Sequence, residues 1–252
     1  MAGVFQSERF FREGWPVISQ ALNSPEGAAR AVRWLVGVTG LKPGARVLDS
    51  PCGFGRHAIA FAHSGYRVTG VDFNETELGR GRAAAAAAGV TVDWICQDMR
   101  DTDFASDFDL AVNLDQSIGY FTDDEDRQLI DRFWRALTPG GLFVLDARNR
   151  DQCVRSLAAE ERRQFDDWTL RIENAFDPLT SRWRARWSRI EGDAVNGERE
   201  TPIGESDIRL YAAHELRAML RPERWSRVDV YGGLDGTPFS MDAPRLVIVA
   251  RK

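Results

Sequence analysis

The stretch Arg46-Val47-Leu48-Asp49-Ser50-Pro51-Cys52-Gly53-Phe54-Gly55-Arg56-His57 constrains this fold more than any other. It reads as the end of a buried strand, a tight glycine loop and a helix start. Gly53 and Gly55 remove side chains where the backbone must turn sharply and admit a ligand closely. Beyond Gly55 the residues Ala58, Ala60, Phe61 and Ala62 continue as a helix. Its first N–H groups lack an internal partner and face the loop. A second strand over 66–71 ends in Asp72. A carboxylate at that point suits the two hydroxyls of a ribose.

These residues resemble the first two motifs of the class I S-adenosylmethionine-dependent methyltransferases. The family's first motif is usually Asp/Glu-x-Gly-x-Gly-x-Gly. Here it stands as Asp49-Ser50-Pro51-Cys52-Gly53-Phe54-Gly55, with Pro51 at the first glycine position. Proline fixes φ near −65° and carries no N–H, so positive φ is not open there. The resemblance implies a cofactor, S-adenosylmethionine, and roles for particular residues. Asp49 organises the loop and faces the cofactor's amino group. Pro51, Cys52, Gly53 and Gly55 form the approach. Asp72 holds the ribose, with Phe73 beside the adenine. Asp98 meets the adenine amino group, Met99 stacks on the ring, and Leu114 lies near the methionine part.

The rest of the chain fits that frame. Strands are expected over 90–95, 108–114 and 142–146, with helices between them. Asn74 and Glu77 read as a capping box opening the helix that ends at Gly89. Leu129, Ile130, Phe133, Trp134 and Leu137 share one helix face. Strands over 225–231 and 245–250 are joined without a helix, so they pair antiparallel. The expected fold is therefore α/β: a doubly wound seven-stranded sheet, mostly parallel, with a C-terminal antiparallel hairpin. Ser117-x-Gly119-Tyr120-Phe121, with the turn Thr138-Pro139-Gly140-Gly141, looks like the family's small-molecule branch.

Two further segments are expected. Residues 1–40 read as helical, with an aromatic opening of Phe5, Phe10, Phe11 and Trp15 stopped near Pro16. They form either a lid over the site or a cover on one sheet face. Residues 41–252 make the main domain. Within it, 164–212 is expected as a β insertion, its period of two carried by Trp168, Leu170 and Ile172 and by Trp183, Ala185 and Trp187. Residues 191–206 read as a loop, and 207–211 as a returning strand. The arginine face of Arg182, Arg184 and Arg186 either holds an anionic substrate or is a solvated face with cross-strand ion pairs to Glu173.

On the acceptor side Tyr120, Asp115, Arg148, Tyr211 and His214 are the polar groups expected near the strand ends or the insertion. Tyr120, Tyr211 and His214 are the candidate catalytic residues; a structural tyrosine and a solvated histidine are the plainer alternatives. His57 and His63 are expected to pack or face solvent.

Composition narrows the function classes. With 43% hydrophobic and 28% charged residues among 252, the chain is globular. A net charge of −5 disfavours bulk nucleic-acid binding. Three scattered cysteines and three histidines lack metal-ligand spacing, so no metal is expected. With no leader or bilayer-length apolar run apparent, a cytoplasmic protein off the membrane is expected, as monomer or homodimer. The function expected is methyl transfer to an O, N or C atom of a small-molecule acceptor. The competing readings are an NAD-dependent oxidoreductase and an inert cofactor binder. Against the former, Ala58 stands where a third glycine is usual, and the C-terminal hairpin is foreign to the usual dinucleotide-binding sheet.

Overall fold

The computed structural model describes residues 7–192 and 197–252. Phe5 of the aromatic opening, and 193–196 of the expected loop, lie outside the described residues. A π-helical turn, Phe10–Gly14, runs directly into α1, Trp15–Leu22. Next come α2 (Pro25–Thr39), β1 (Arg46–Asp49), α3 (Arg56–His63), β2 (Arg67–Asp72), α4 (Glu75–Ala87) and β3 (Asp93–Cys96). Then follow β4 (Phe108–Asn113), α5 (Asp123–Ala136), β5 (Leu137–Arg148) and α6 (Arg150–Ser156). Four strands come next: β6 (Glu160–Gln164), β7 (Trp168–Asp177), β8 (Arg182–Glu191) and β9 (Arg199–Arg209). The last elements are α7 (Ala213–Leu220), β10 (Arg227–Tyr231) and β11 (Arg245–Arg251).

The main sheet has the order β10-β11-β5-β4-β1-β2-β3. Strand β11 runs antiparallel to both β10 and β5, and the other pairs are parallel. The strands step outward from β1 in one direction and from β4 in the other. Such a switch point opens a crevice beyond the carboxyl ends of the two strands. A second, antiparallel sheet has the order β6-β7-β8-β9.

Three cores divide the molecule. On one sheet face α2 and α3 bury Val32, Leu35 and Phe61 against Val47, Leu110 and Val247. On the other, α5 and α7 bury Leu129, Phe133 and Leu216 against Leu48, Phe143 and Ile248. The third core joins Phe10 and Ile18 to Trp168, Trp183, Trp187 and Ile208 of the second sheet. Helix α2 covers the main sheet, whereas 10–22 packs on the second sheet. Ser7 fastens the segment to β9: its hydroxyl accepts from Asp207 N at 2.9 Å and donates to Asp207 O at 3.3 Å.

Several local expectations change. Pro16 does not stop a helix; it occupies the first turn of α1, where a missing N–H costs nothing. The second sheet begins at Glu160, ahead of the expected boundary at 164, because β6 pairs with β7 despite having no apolar alternation. Much of the expected loop is β9. Its Pro202 is tolerated at a sheet edge beside a register shift between Trp187 and Ser188. The last described strand residue there is Arg209, so Tyr211 is not on a strand. Asn74 caps α4 through Thr76 N at 3.0 Å, but Glu77 pairs with Arg80 instead of closing a capping box. No helix among the described residues is long and apolar enough to cross a membrane.

Candidate active site

The carboxyl ends of β1, β2 and β4 open into a cavity of about 280 Å³. Its floor is the loop after β1. Cys52 N donates to Val71 O at 2.9 Å, and Gly53 N donates to Asp72 Oδ2 at 2.8 Å. The other Asp72 oxygen accepts from Asn74 N at 2.9 Å. Burial nevertheless lifts the Asp72 carboxyl above its ordinary range, against those two bonds. The Ser50–Pro51 peptide is cis.

Gly53 and Gly55 prove to have different jobs. Gly53 has φ +55°, and a Cβ there would meet nothing nearer than Glu77 Oε2 at 3.9 Å, so its open side faces the cavity. Gly55 has φ +76°, but a Cβ would lie 2.2 Å from Cη2 of Trp94. It admits the Trp94 ring of β3 and does not line the cavity.

Beyond β4 the chain makes a strained turn. Asp115 and Gln116 both take left-handed conformations, with φ +58° and +63°. Such consecutive non-glycine residues persist only where surrounding contacts hold them. Here β5 supplies the contacts: Asp115 N donates to Asp146 Oδ2 and Gln116 N to Asp146 O, each at 3.0 Å. Arg56 grips Asp115 with two bonds, and Arg245 pairs with Asp146. Burial raises the Asp115 carboxyl, but His57, Arg56 and Arg245 outweigh it and hold it below the usual carboxylate range. Burial pushes His57 down to about 4, so its imidazole is neutral at pH 7. Asp49, expected at the cofactor, is buried at the end of β1 and does not line the cavity; burial lifts it to about 8, with the Asp115 charge adding to the effect. Its Oδ2 accepts no hydrogen bond from any described residue.

The roof is aromatic. Phe10, Phe11 and Trp15 come from the N-terminal segment, and Trp183 and Trp187 from β8. Phe10 stacks on Trp187, and Phe11 meets the edge of Tyr120. Asn74 Nδ2 donates to Phe11 O at 2.7 Å, tying the roof to the floor at the end of β2.

The cavity brings together Pro51, Cys52, Gly53, Asp72, Phe73, Asp98, Met99, Leu114 and Tyr120. Asp98 also caps the short turn Met99–Asp101 and is gripped by Arg100. The structure separates Tyr211 and His214 from this group. Tyr211 is buried between α5 and α7, where its hydroxyl donates to Asp126 at 2.7 Å. Burial, then the Asp126 charge, drives its phenol far above the ordinary range, so it is no base at neutral pH. His214 is exposed near the start of α7. Neither lines the cavity.

Sequence reading missed several lining residues. Arg56 and His57 follow the glycine loop directly, and that adjacency was the available signal. Trp183 and Trp187 looked like an ordinary core stripe. Arg245 gave no signal, because only the register of β11 against β5 brings it to Asp146. The arginine face is paired outside the cavity: Arg182 and Arg184 with Asp207, and Arg186 with Glu205. The cross-strand partners lie on β9, whereas Glu173 pairs with Arg171. Among the described residues no cluster of three or more His, Cys, Asp or Glu side chains could hold a metal ion.

The chain is similar to known proteins over part of its sequence and over most of its fold. Residues 47–141 match the family described as a methyltransferase domain. A conjectural methyltransferase of Geobacillus sp. (strain WCH70) is 33% identical over 105 residues, 41% of this chain and 42% of that protein. An S-adenosyl-L-methionine-dependent Diels-Alderase of Talaromyces variabilis is 33% identical over 116 residues, 44% of this chain and 39% of that protein. The chain thus matches only about two fifths of the length of these relatives. Among solved structures, CalS10 with S-adenosylmethionine bound, an amino pentose methyltransferase from Micromonospora echinaspora, superposes with TM-score 0.70 at 21% identity, covering 94% of both chains. Residues 47–141 thus match the methyltransferase-domain family model, and the fold is like that of solved S-adenosylmethionine-dependent methyltransferases.

Proposed function

We propose that this protein transfers the methyl group of S-adenosylmethionine to an O, N or C atom of a small-molecule acceptor. The observation that carries the reading is the two-sided cavity: a polar floor at the switch point and an aromatic roof supplied by separate segments.

The floor fits the cofactor. Asp49 Oδ2 lies buried behind the lining and accepts no hydrogen bond from a described residue, so the carboxyl could answer a cationic amino group through the loop or a water. Gly53 leaves open space where a side chain would intrude. When bound, the cofactor supplies a sulfonium whose methyl is open to in-line displacement. Asp72 would hold the ribose, Phe73, Asp98 and Met99 would frame the adenine, and Leu114 and the turn at Asp115 would bound the methionine part. Pro51 and Cys52 form the near wall. Burial pushes Cys52 well above the ordinary thiol range, so it acts as a small apolar surface and not a nucleophile.

The roof orients the acceptor and keeps water away. Tyr120 positions it as a neutral phenol, since burial lifts that hydroxyl to about 12. Orientation alone supplies effective molarities of about 10⁵ M or more, so no strong base is required for a nucleophile that arrives unprotonated. Residues 10–22 and the second sheet together act as the lid, and α2 does not.

Calorimetric titration with S-adenosylhomocysteine, S-adenosylmethionine and NAD tests the reading. We expect the first two to bind and NAD not to. Asp72→Ala should weaken S-adenosylhomocysteine by about 10-fold or more, the loss of charge-assisted bonds. Tight NAD binding without response to the sulfonium compound overturns the proposal.

A further inference from the structure

One cation on the cavity wall has no carboxylate opposite it. Arg148 ends β5, two residues beyond Asp146. It lines the main cavity and an adjoining chamber of about 110 Å³, which shares Arg163, Trp183 and Trp187 with it. Its guanidinium lies over the Trp183 ring, with Cζ 4.3 Å from the centroid. Every other arginine on these walls is matched: Arg56 with Asp115, Arg245 with Asp146, and Arg163 with Glu161. Glu161, the acidic side chain on the smaller chamber's wall, is thus already engaged. No described Asp or Glu comes within ion-pair distance of Arg148.

The Tyr120 phenol and the Cys153 thiol lie beside Arg148, and Arg245 and Glu161 are the charges that act on it from farther off. Burial raises both the Tyr120 phenol and the Cys153 thiol, leaving them uncharged at pH 7. Burial also lowers Arg148 itself, with the nearby Arg245 adding to the effect. A desolvated, unpaired cation is unfavourable in the empty site and gains most when an anion arrives. Stacking on tryptophan holds the guanidinium plane; one donor meets the Cys153 sulfur, a neutral partner, and the planar fork of five N–H groups still offers others to a planar or tetrahedral oxyanion.

We propose that Arg148 docks an oxyanion, a carboxylate or a phosphate, carried by a molecule whose body lies between Trp183, Trp187 and Tyr120. Calling that molecule the methyl acceptor rests on the methyltransferase reading; the anion site itself does not. The arginine-rich outer face of β8 is set aside as the anion site because each of Arg182, Arg184 and Arg186 already pairs with a carboxylate of β9.

The test is calorimetry with benzoate, phenyl phosphate and uncharged benzamide, each with and without saturating S-adenosylhomocysteine. At least one anion should bind about 10-fold or more tightly than benzamide, as a charge-assisted contact implies. Whichever anion binds tighter identifies the carboxylate or the phosphate as the better fit. Arg148→Gln should erase that preference and leave S-adenosylhomocysteine affinity unchanged. Arg184→Gln, on the outer face, should leave the preference intact. Equal binding of anions and benzamide, or a preference that survives Arg148→Gln, overturns the proposal. A purely structural Arg148 would shift the melting temperature without moving the anion-to-neutral ratio. If Arg148→Gln does not fold, Arg148→Met decides, because an undiminished preference in that uncharged variant also overturns it. Anion preference without S-adenosylhomocysteine binding would sink the methyltransferase reading alone, and the converse would sink this inference alone.

Discussion

Asp49 shows how one residue records the tension in the floor. It ends β1 fully buried, and its carboxyl is lifted from 3.8 to about 8. The folded protein thus holds a proton that the unfolded chain releases in that window. The stability this provides is complete below pH 3.8 and lost as pH rises through about 8. Asp49→Asn should remove the dependence. In urea denaturation of the cofactor-free protein, the variant should gain on the wild type by up to about 1.4 kcal/mol per pH unit between about pH 5 and 8. Parallel stability curves would show that Asp49 is ionised in the fold. His57 has the opposite sign: depressed to about 4, its contribution is present above its ordinary 6.5 and lost as pH falls. Asp49 was legible in the motif, but its state was not, because burial and the neighbouring Asp115 depend on contacts between β1 and the turn after β4.

At the level of elements, the parallel strands were legible because apolar runs alternate with helical periods and glycine or proline punctuation. What failed shares a cause. Strand β6 is Glu160-Glu161-Arg162-Arg163-Gln164, which carries no hydrophobic alternation; β7 recruits it by backbone pairing and ion pairs such as Arg171 with Glu160. In β9, Pro202 and Gly204 gave a loop signal that an edge position and a register shift override. The glycine loop was legible as a loop, yet Gly55 serves Trp94 and not a ligand. This makes a prediction about the loop's energetics. Gly40→Ala meets no atom within 4 Å at φ +63°, so it should cost about 1–2 kcal/mol, the penalty of the left-handed conformation alone. Gly55→Ala adds a collision with Trp94 and should cost clearly more, with Trp94→Val recovering part of the difference. Equal melting shifts for the two alanine variants would refute the assigned role of Gly55.

The molecule as a whole has two fabrics. Its floor is the main sheet, and its roof combines residues 10–22 with the second sheet, fastened through Ser7 and Asp207. If the roof closes on cofactor, S-adenosylhomocysteine should slow hydrogen exchange in 10–22 and in the strands β8 and β9, while α2 stays unchanged. Slowing confined to α2, or none anywhere, would show that the roof is indifferent to the cofactor. The sequence resemblance was specific over the floor and silent over the roof. Strand alternation marks Trp183 and Trp187 as inward-facing but does not say whether inward means core or chamber. The family match over 47–141 also ends before β6 begins. On the proposed function, the two halves of the reaction would be written in separable parts of the gene. Grafting the Glu160-to-Arg209 segment between relatives should trade one acceptor repertoire for another, an evolutionary swap that leaves the shared methyl donor in place.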